Sequence, residues 1–211
     1  MADRFEPVMV RVWDPLIRIG HWILVTGFAT AYLTEGEPQW LHTTAGYAIA
    51  VTVTLRIVWG VIGPKRARFS DFVTGPRQVV AYLRDLVAGR AERHLGHSPA
   101  GGAMTVALLL ALAITALSGT ATLAVEEGQG PLASILTAQS RPTFVMEDEH
   151  DRYGGSDEGE GAEAFEEIHE IAANATLLLI VLHVAGVLWA SRVHGENLIR
   201  AMMNGRRRPV E

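Results

Sequence analysis

The sequence predicts an all-α membrane protein with four transmembrane helices and both termini on the cytoplasmic side. Three observations point there: four long apolar stretches, one of them free of charge throughout, and a one-sided distribution of Lys and Arg. The chain has 211 residues, 49% of them hydrophobic. Its apolar residues gather at Leu16–Leu33, Leu41–Ile62, Met104–Val125 and Ile168–Trp189, each 18 to 22 residues long. That is the length an α-helix needs to cross ~30 Å of hydrocarbon, and a helix satisfies its own backbone polar groups there. A soluble four-helix bundle would show a polar face every three or four residues. Met104–Val125, MTVALLLALAITALSGTATLAV, has no such face.

Taken in order, the elements read as one domain over 1–211. The N-terminal stretch MADRFEPVMVRVWDPLIRIGHW carries charges through residue 18 and lacks a small-residue cleavage site. It does not resemble a removed signal peptide, so span 16–33 is expected to stay as an anchor. Span 41–62 follows after a short loop. Between it and span 104–125 lies FSDFVTGPRQVVAYLRDLVAG, where Pro76 suits a first helical turn. There Val79, Val80, Leu83, Leu86 and Val87 recur at helical spacing with arginines between them. Segment 69–88 is therefore read as an amphipathic helix, lying either on the cytoplasmic membrane surface or against the bundle. Ser98-Pro99 reads as a helix start before the third span. Residues 126–165 form an acidic loop containing EDEHDRYGGSDEGEGAEAF, whose glycines and charge run predict flexibility. Span 168–189 completes the set.

The net charge of −5 matters less than its distribution. Arg4 and Arg11 precede span one and Arg18 lies at its inner end. Lys65, Arg66, Arg68, Arg77, Arg84, Arg90 and Arg93 lie between spans two and three, and Arg192, Arg200 and Arg206 to Arg208 follow span four. With four crossings these segments share one face, which the positive-inside rule assigns to the cytoplasm. The opposite face is acidic, with Glu35, Glu37 and the 126–165 loop; only Arg141 and Arg152 offset it. The expected location is the bacterial inner membrane, with lipid as an obligatory partner.

Eight histidines occur. His94, His97, His150 and His194 fall in loops or tails and read as solvated. His21, His42, His169 and His183 lie in or at the ends of spans, where ionisable groups are costly and tend to be functional. Fourteen residues separate His169 from His183, roughly 21 Å along a helix axis, with directions within roughly 40° of each other. One metal ion cannot bridge that interval, so each imidazole needs a partner from another helix at its own depth. The topology sorts them: His42 with His169 near the outer face, His21 with His183 towards the inner. Two histidines on facing helices with a gap between them suit a six-coordinate haem, and helix bundles commonly build cofactor sites in this way. Two sites mean two haems. With no cysteine in the chain, there is no C-x-x-C-H attachment, and any haem is held without covalent links. Zinc is poorly served by two imidazoles per site. Gly46, Gly186 and Gly27, near the histidines, either admit the flat ring or serve close helix packing. Arg56, fourteen residues after His42, reaches the level of the inner haem and either neutralises a propionate or snorkels to headgroups. Arg18, one turn before His21, has the same two readings.

WDPLIRIGHW, LHTTAGYA and IHEIAANATLLLIVLHVAG resemble the prokaryotic cytochrome b561 family. GPKRARFSDFVTGPRQVVAYLRDL, GHSPAGGAM and HGENLIRAM resemble connecting segments of its branch of nickel–iron hydrogenase cytochrome b subunits. The resemblance covers all four spans and implies a four-helix bundle holding two b-type haems, with His21, His42, His169 and His183 as axial ligands. It further implies electron transfer between a periplasmic partner, a cytochrome c or a hydrogenase-like dehydrogenase, and membrane quinone as diffusible substrate. A superoxide:quinone oxidoreductase acting alone is the alternative the resemblance permits, and the acidic outer loop counts against an anionic substrate. The same acidity would steer a basic partner such as a lysine-rich cytochrome c. Trp13, Asp14 and Arg18, or Glu166 and Glu170, are the candidates for proton handling at a quinone site. No nucleic-acid partner is expected; a homodimer is compatible with the pattern.

Overall fold

A computed structural model describes residues 9–34, 37–139 and 157–209. The elements run β1 (Val10–Arg11), α1 (Pro15–Thr34), α2 (Gln39–Ile62), α3 (Phe69–Phe72), α4 (Pro76–Val87), α5 (Pro99–Glu127), α6 (Ala133–Gln139), α7 (Asp157–Val193), α8 (Leu198–Asn204) and β2 (Arg206–Arg207). Four helices are long and apolar enough to cross a membrane: Pro15–Thr34, Gln39–Ile62, Pro99–Glu127 and Glu163–Val193. Large apolar side chains such as Leu110, Leu117, Leu178, Leu182 and Leu188 stand exposed along them, an arrangement that suits lipid and not water. Many hydroxyls within these helices donate to a carbonyl one turn back, as Thr54 does to Ala50 (2.8 Å) and Ser191 to Val187 (2.7 Å), which satisfies them at membrane depth.

Local chemistry sets the helix ends. Asp14 Oδ1 accepts from the Ile17 N–H (3.0 Å) and Pro15 opens α1, a capped start with proline where its missing N–H costs nothing. Pro76 likewise opens α4, behind Gly75 at the N-cap, without a side-chain cap. Ser98 Oγ accepts from Gly101 N–H (3.2 Å) at the head of α5, and Asn197 Oδ1 from Arg200 N–H (2.8 Å) at the head of α8. Gly205 ends α8 at φ +74°, the left-handed conformation that glycine takes without strain.

The amphipathic segment is broken in two by Val73, Thr74 and Gly75. In α4, Tyr82 and Leu86 are buried while Val80, Leu83 and Val87 stay exposed. The fourth apolar helix begins well before residue 168, because the Glu- and Ala-rich run from Glu163 to Ala173 has high helix propensity. The sequence expectation of a loop over 126–165 is accordingly corrected at both ends: α5 reaches Glu127, α6 follows, and α7 starts at Asp157. Residues 140–156, which hold the acidic run through His150 together with Arg141 and Arg152, lie outside the described residues, as do Arg4 and Glu35.

The chain divides into two compact units, residues up to 109 with 178 onwards, and residues 110–177. In the first, α1 and α2 form an antiparallel pair, with Gly27 against Ile49 and Gly20 against Thr52. At the end where α1 begins and α7 finishes, β1 pairs antiparallel with β2, Val10 opposite Arg207 and Arg11 opposite Arg206. Beside them Val12, Trp13, Ile17 and Ala67 make a buried cluster joined by Trp59 and Met202. In the second unit, the later part of α5 meets the earlier part of α7 through Thr115 and Thr176 (3.3 Å), with the small residues Ala121, Ala124 and Ala172 buried.

Candidate functional site

In the first unit His21 on α1 and His183 on α7 face each other, ring centroids 6.5 Å apart and planes tilted by 55°. Both rings are half-buried, and Nδ1 of His21 is buried with no hydrogen-bond partner among the described residues. Two metal–imidazole bonds of about 2 Å placed end to end, with half the width of each ring added, span such a separation. The pair therefore fits the axial positions of one haem. It does not fit zinc, since among the described residues no three His, Asp or Glu side chains converge on a point.

His42, near the start of α2, holds Nδ1 3.0 Å from the carbonyl of Ala31. His169, in the second unit, holds Nδ1 2.9 Å from the carbonyl of Thr115 and 3.3 Å from Ser118 Oγ. A carbonyl only accepts, so in both rings Nδ1 carries the proton and Nε2 the lone pair. This is the contact that fixes tautomer and orientation in metal-binding histidines. Gly119 makes room for the second ring: a Cβ there would sit 2.8 Å from His169 Cε1.

The glycines near the histidines separate into two kinds. Gly27 lies under Ile49, where a Cβ would approach Cγ1 to 3.1 Å, so helix packing accounts for it. At Gly46 and Gly186 a Cβ meets nothing within 4 Å. Both positions border open space, and helix packing does not account for them.

Arg56 does not snorkel. It is 9% exposed, with its guanidinium carbon 5.1 Å from the ring centre of Phe69 and 5.9 Å from that of Phe72. Neither of its terminal nitrogens has a partner among the described residues. Arg18 turns the other way and donates to the Met203 carbonyl at the end of α8. Asp14 accepts from Trp59 Nε1 (3.3 Å), a tie between α1 and α2. Glu166 and Glu170 stand exposed on α7.

Two features escape sequence reading. His97 is not a solvated loop histidine: its ring packs on Phe72 (centroids 4.1 Å) and edge-on to Trp13 (4.7 Å), and its Nδ1 is buried without a partner. Burial above all, then the positive charge of Arg56 and proximity to His183, push His97 down to about 3, so it is neutral at physiological pH. Glu196, 8% exposed, is the hub of the same end. It accepts from Arg207 Nη2 (2.8 Å) and from the Arg208 N–H (3.1 Å), while Arg207 also donates to the carbonyl of His94 (2.6 Å). Burial alone would raise the Glu196 carboxyl, but the bonds from Arg207 and Arg208 outweigh it and hold the group below its ordinary value. Nearby, Tyr82 Oη and His194 Nε2 lie 3.2 Å apart. Loop position hides both features, because neither sits in a periodic apolar pattern.

A family model described as prokaryotic cytochrome b561 matches residues 12–205. No curated protein and no solved structure matched the chain. With four helices able to span a bilayer and nearly its whole length matched, the chain belongs to the prokaryotic cytochrome b561 family, the membrane b-type cytochromes of electron transfer.

Proposed function

We propose that this protein is a two-haem cytochrome of the bacterial inner membrane that passes electrons between a periplasmic redox partner and the quinone pool. The partner is a c-type cytochrome or a hydrogenase-like dehydrogenase, the latter in keeping with the resemblance of the connecting segments to the hydrogenase branch. The observation that carries the reading is the opposed pair His21 and His183 with a metal-sized gap between their rings. These two hold one haem, and His42 and His169 hold the second. The carbonyls of Ala31 and Thr115 support that role, since an N–H bond to a carbonyl raises the basicity of the ligating nitrogen. Bound haem supplies a one-electron couple whose potential is tuned by ligands, hydrogen bonds and burial. The arginine-rich segments support cytoplasmic termini, which put His21 and His183 towards the cytoplasm. Arg56, buried and fourteen residues after His42 along α2, supplies positive charge at that level.

The test is the haem-to-protein ratio of the purified protein, with its low-spin spectrum, followed by reduction with a short-chain quinol. Two haems per chain and reduction by quinol are expected. One haem per chain, or haems that quinol leaves oxidised while dithionite reduces them, would end the proposal.

A further inference from the structure

Among the described residues both terminal nitrogens of Arg56 and Nδ1 of His97 are buried without a partner, as is Nδ1 of His21. Buried donors left without acceptors are rare in native proteins, so a guanidinium kept in this state calls for an anionic acceptor. Asp14, the acidic side chain at this end of α1, attracts the guanidinium through space but makes no hydrogen bond to it, its oxygens accepting from Trp59 and from the Ile17 backbone. Two terminal guanidinium nitrogens side by side match the two oxygens of a carboxylate. His97 adds a third polar nitrogen next to Phe72, the ring that both groups contact: the His97 ring centre lies 4.1 Å and the Arg56 guanidinium carbon 5.9 Å from its centre.

The site is built, not incidental. Phe69 and Phe72 bear on Arg56 because glycines admit them on two sides. A Cβ on Gly60 would come within 2.1 Å of Phe69, and one on Gly102 within 2.6 Å of the Phe72 carbonyl. The aromatic faces offer the cation a cation–π contact and restrict its reach. His97 stays uncharged, so it can donate through Nδ1–H without repelling the guanidinium.

We propose that Arg56 and His97 form a carboxylate clamp that grips a propionate of the haem held by His21 and His183. The clamp rests on the assignment of that haem, and His97 is a binding residue that the sequence pattern does not reveal. A positive charge at a propionate favours the reduced, less positive iron centre, so loss of the clamp lowers that haem's midpoint potential.

The experiment is an optical redox titration of the full-length protein carrying Arg56→Gln, Arg56→Lys or His97→Phe, together with resonance Raman spectra of the propionate bending mode. A parallel titration in the His169→Ala background isolates the haem of the His21 pair. The expected result for Arg56→Gln is roughly a tenfold shift of that haem's reduction equilibrium towards the oxidised form, about 59 mV for one electron, with the other haem unmoved. Arg56→Lys restores most of it. His97→Phe, which keeps the ring packing, gives about a two- to threefold shift and moves the propionate mode. Two haems present but neither potential changed, or both shifted equally, would overturn the clamp while leaving the haem assignment intact. A wild-type potential that follows added acetate would also overturn it, since the carboxylate would then come from solution. Two haems retained in His21→Ala would remove the assignment beneath it.

Discussion

The two histidine regions differ in what already holds their rings. His42 and His169 each have Nδ1 on a main-chain carbonyl, so their orientation is fixed by protein alone. His21 has a buried Nδ1 with no partner, and the polar groups around its pair, Arg56 and His97, are likewise unsatisfied. Native proteins leave few buried polar groups unpaired, and those that remain mark a missing ion, water or ligand. On the proposed assignment, the rings of His42 and His169 are pre-set for a ligand, and the His21 pair is completed by one. The scaffold compensates, since the incomplete region is tied by a β-pair, a buried ion pair and an aromatic wedge.

The sharpest break of this comparison is removal of a ligand. His21→Ala or His183→Ala should drop the haem content from two per chain to one, read by pyridine haemochrome assay. His42→Ala or His169→Ala should remove the complementary haem, distinguished by midpoint potential. Loss of both haems from any single substitution would show that the regions are not independent.

Next in size is the scaffold of the His21 region. Arg207→Ala leaves Glu196 buried with its main partner gone, and breaking such a pair costs about 3–5 kcal/mol. Thermal unfolding of the detergent-solubilised protein should register it, and a loss below 1 kcal/mol would place the pair among weak surface contacts. The pH dependence has a definite sign. The carboxyl of Glu196 is held below its ordinary value of 4.5, so its contribution is complete above that pH and disappears as pH falls through the lowered value. Glu196→Gln should flatten that part of the acid-unfolding profile.

A smaller effect sharpens the other side. Gly119→Ala forces a Cβ to within 2.8 Å of the His169 ring, and overpacking of this kind costs about 1–3 kcal/mol. The haem of His169 should change its spectrum or potential while the other is untouched. Smallest of all, Ser118→Ala removes the 3.3 Å contact to His169 Nδ1 but keeps the Thr115 carbonyl. A shift under about 1 kcal/mol in unfolding free energy is expected, with both haems retained.

The spans were legible because length and apolarity are all that a helix needs in hydrocarbon, as Met104–Val125 illustrates. The depth matching of His21 with His183 followed from rise per residue, and the two rings do meet. What stayed hidden depended on loops. Nothing in HLGHSPAGG marks His97 as packed against Trp13 and Phe72, because contacts made by a segment without periodicity leave no local pattern. The role of Glu196 was hidden for the same reason: its partner Arg207 is distinguished from neighbouring arginines only by the fold. Arg56 lay between, since its level could be counted along α2 but its turn inward onto Phe69 could not. The helical start of α7 was obscured by glycines and acidic residues that read as a solvated loop.

The wedge of Phe69 and Phe72 has a consequence for how the chain is assembled during synthesis. The ribosome delivers the N-terminal part first, so Phe69 can seat against Gly60 before Gly102 has been made. The α2–α3 corner then serves as a template on which the head of α5 closes. An alanine at residue 60 would obstruct the first act of this sequence, and one at residue 102 only the second.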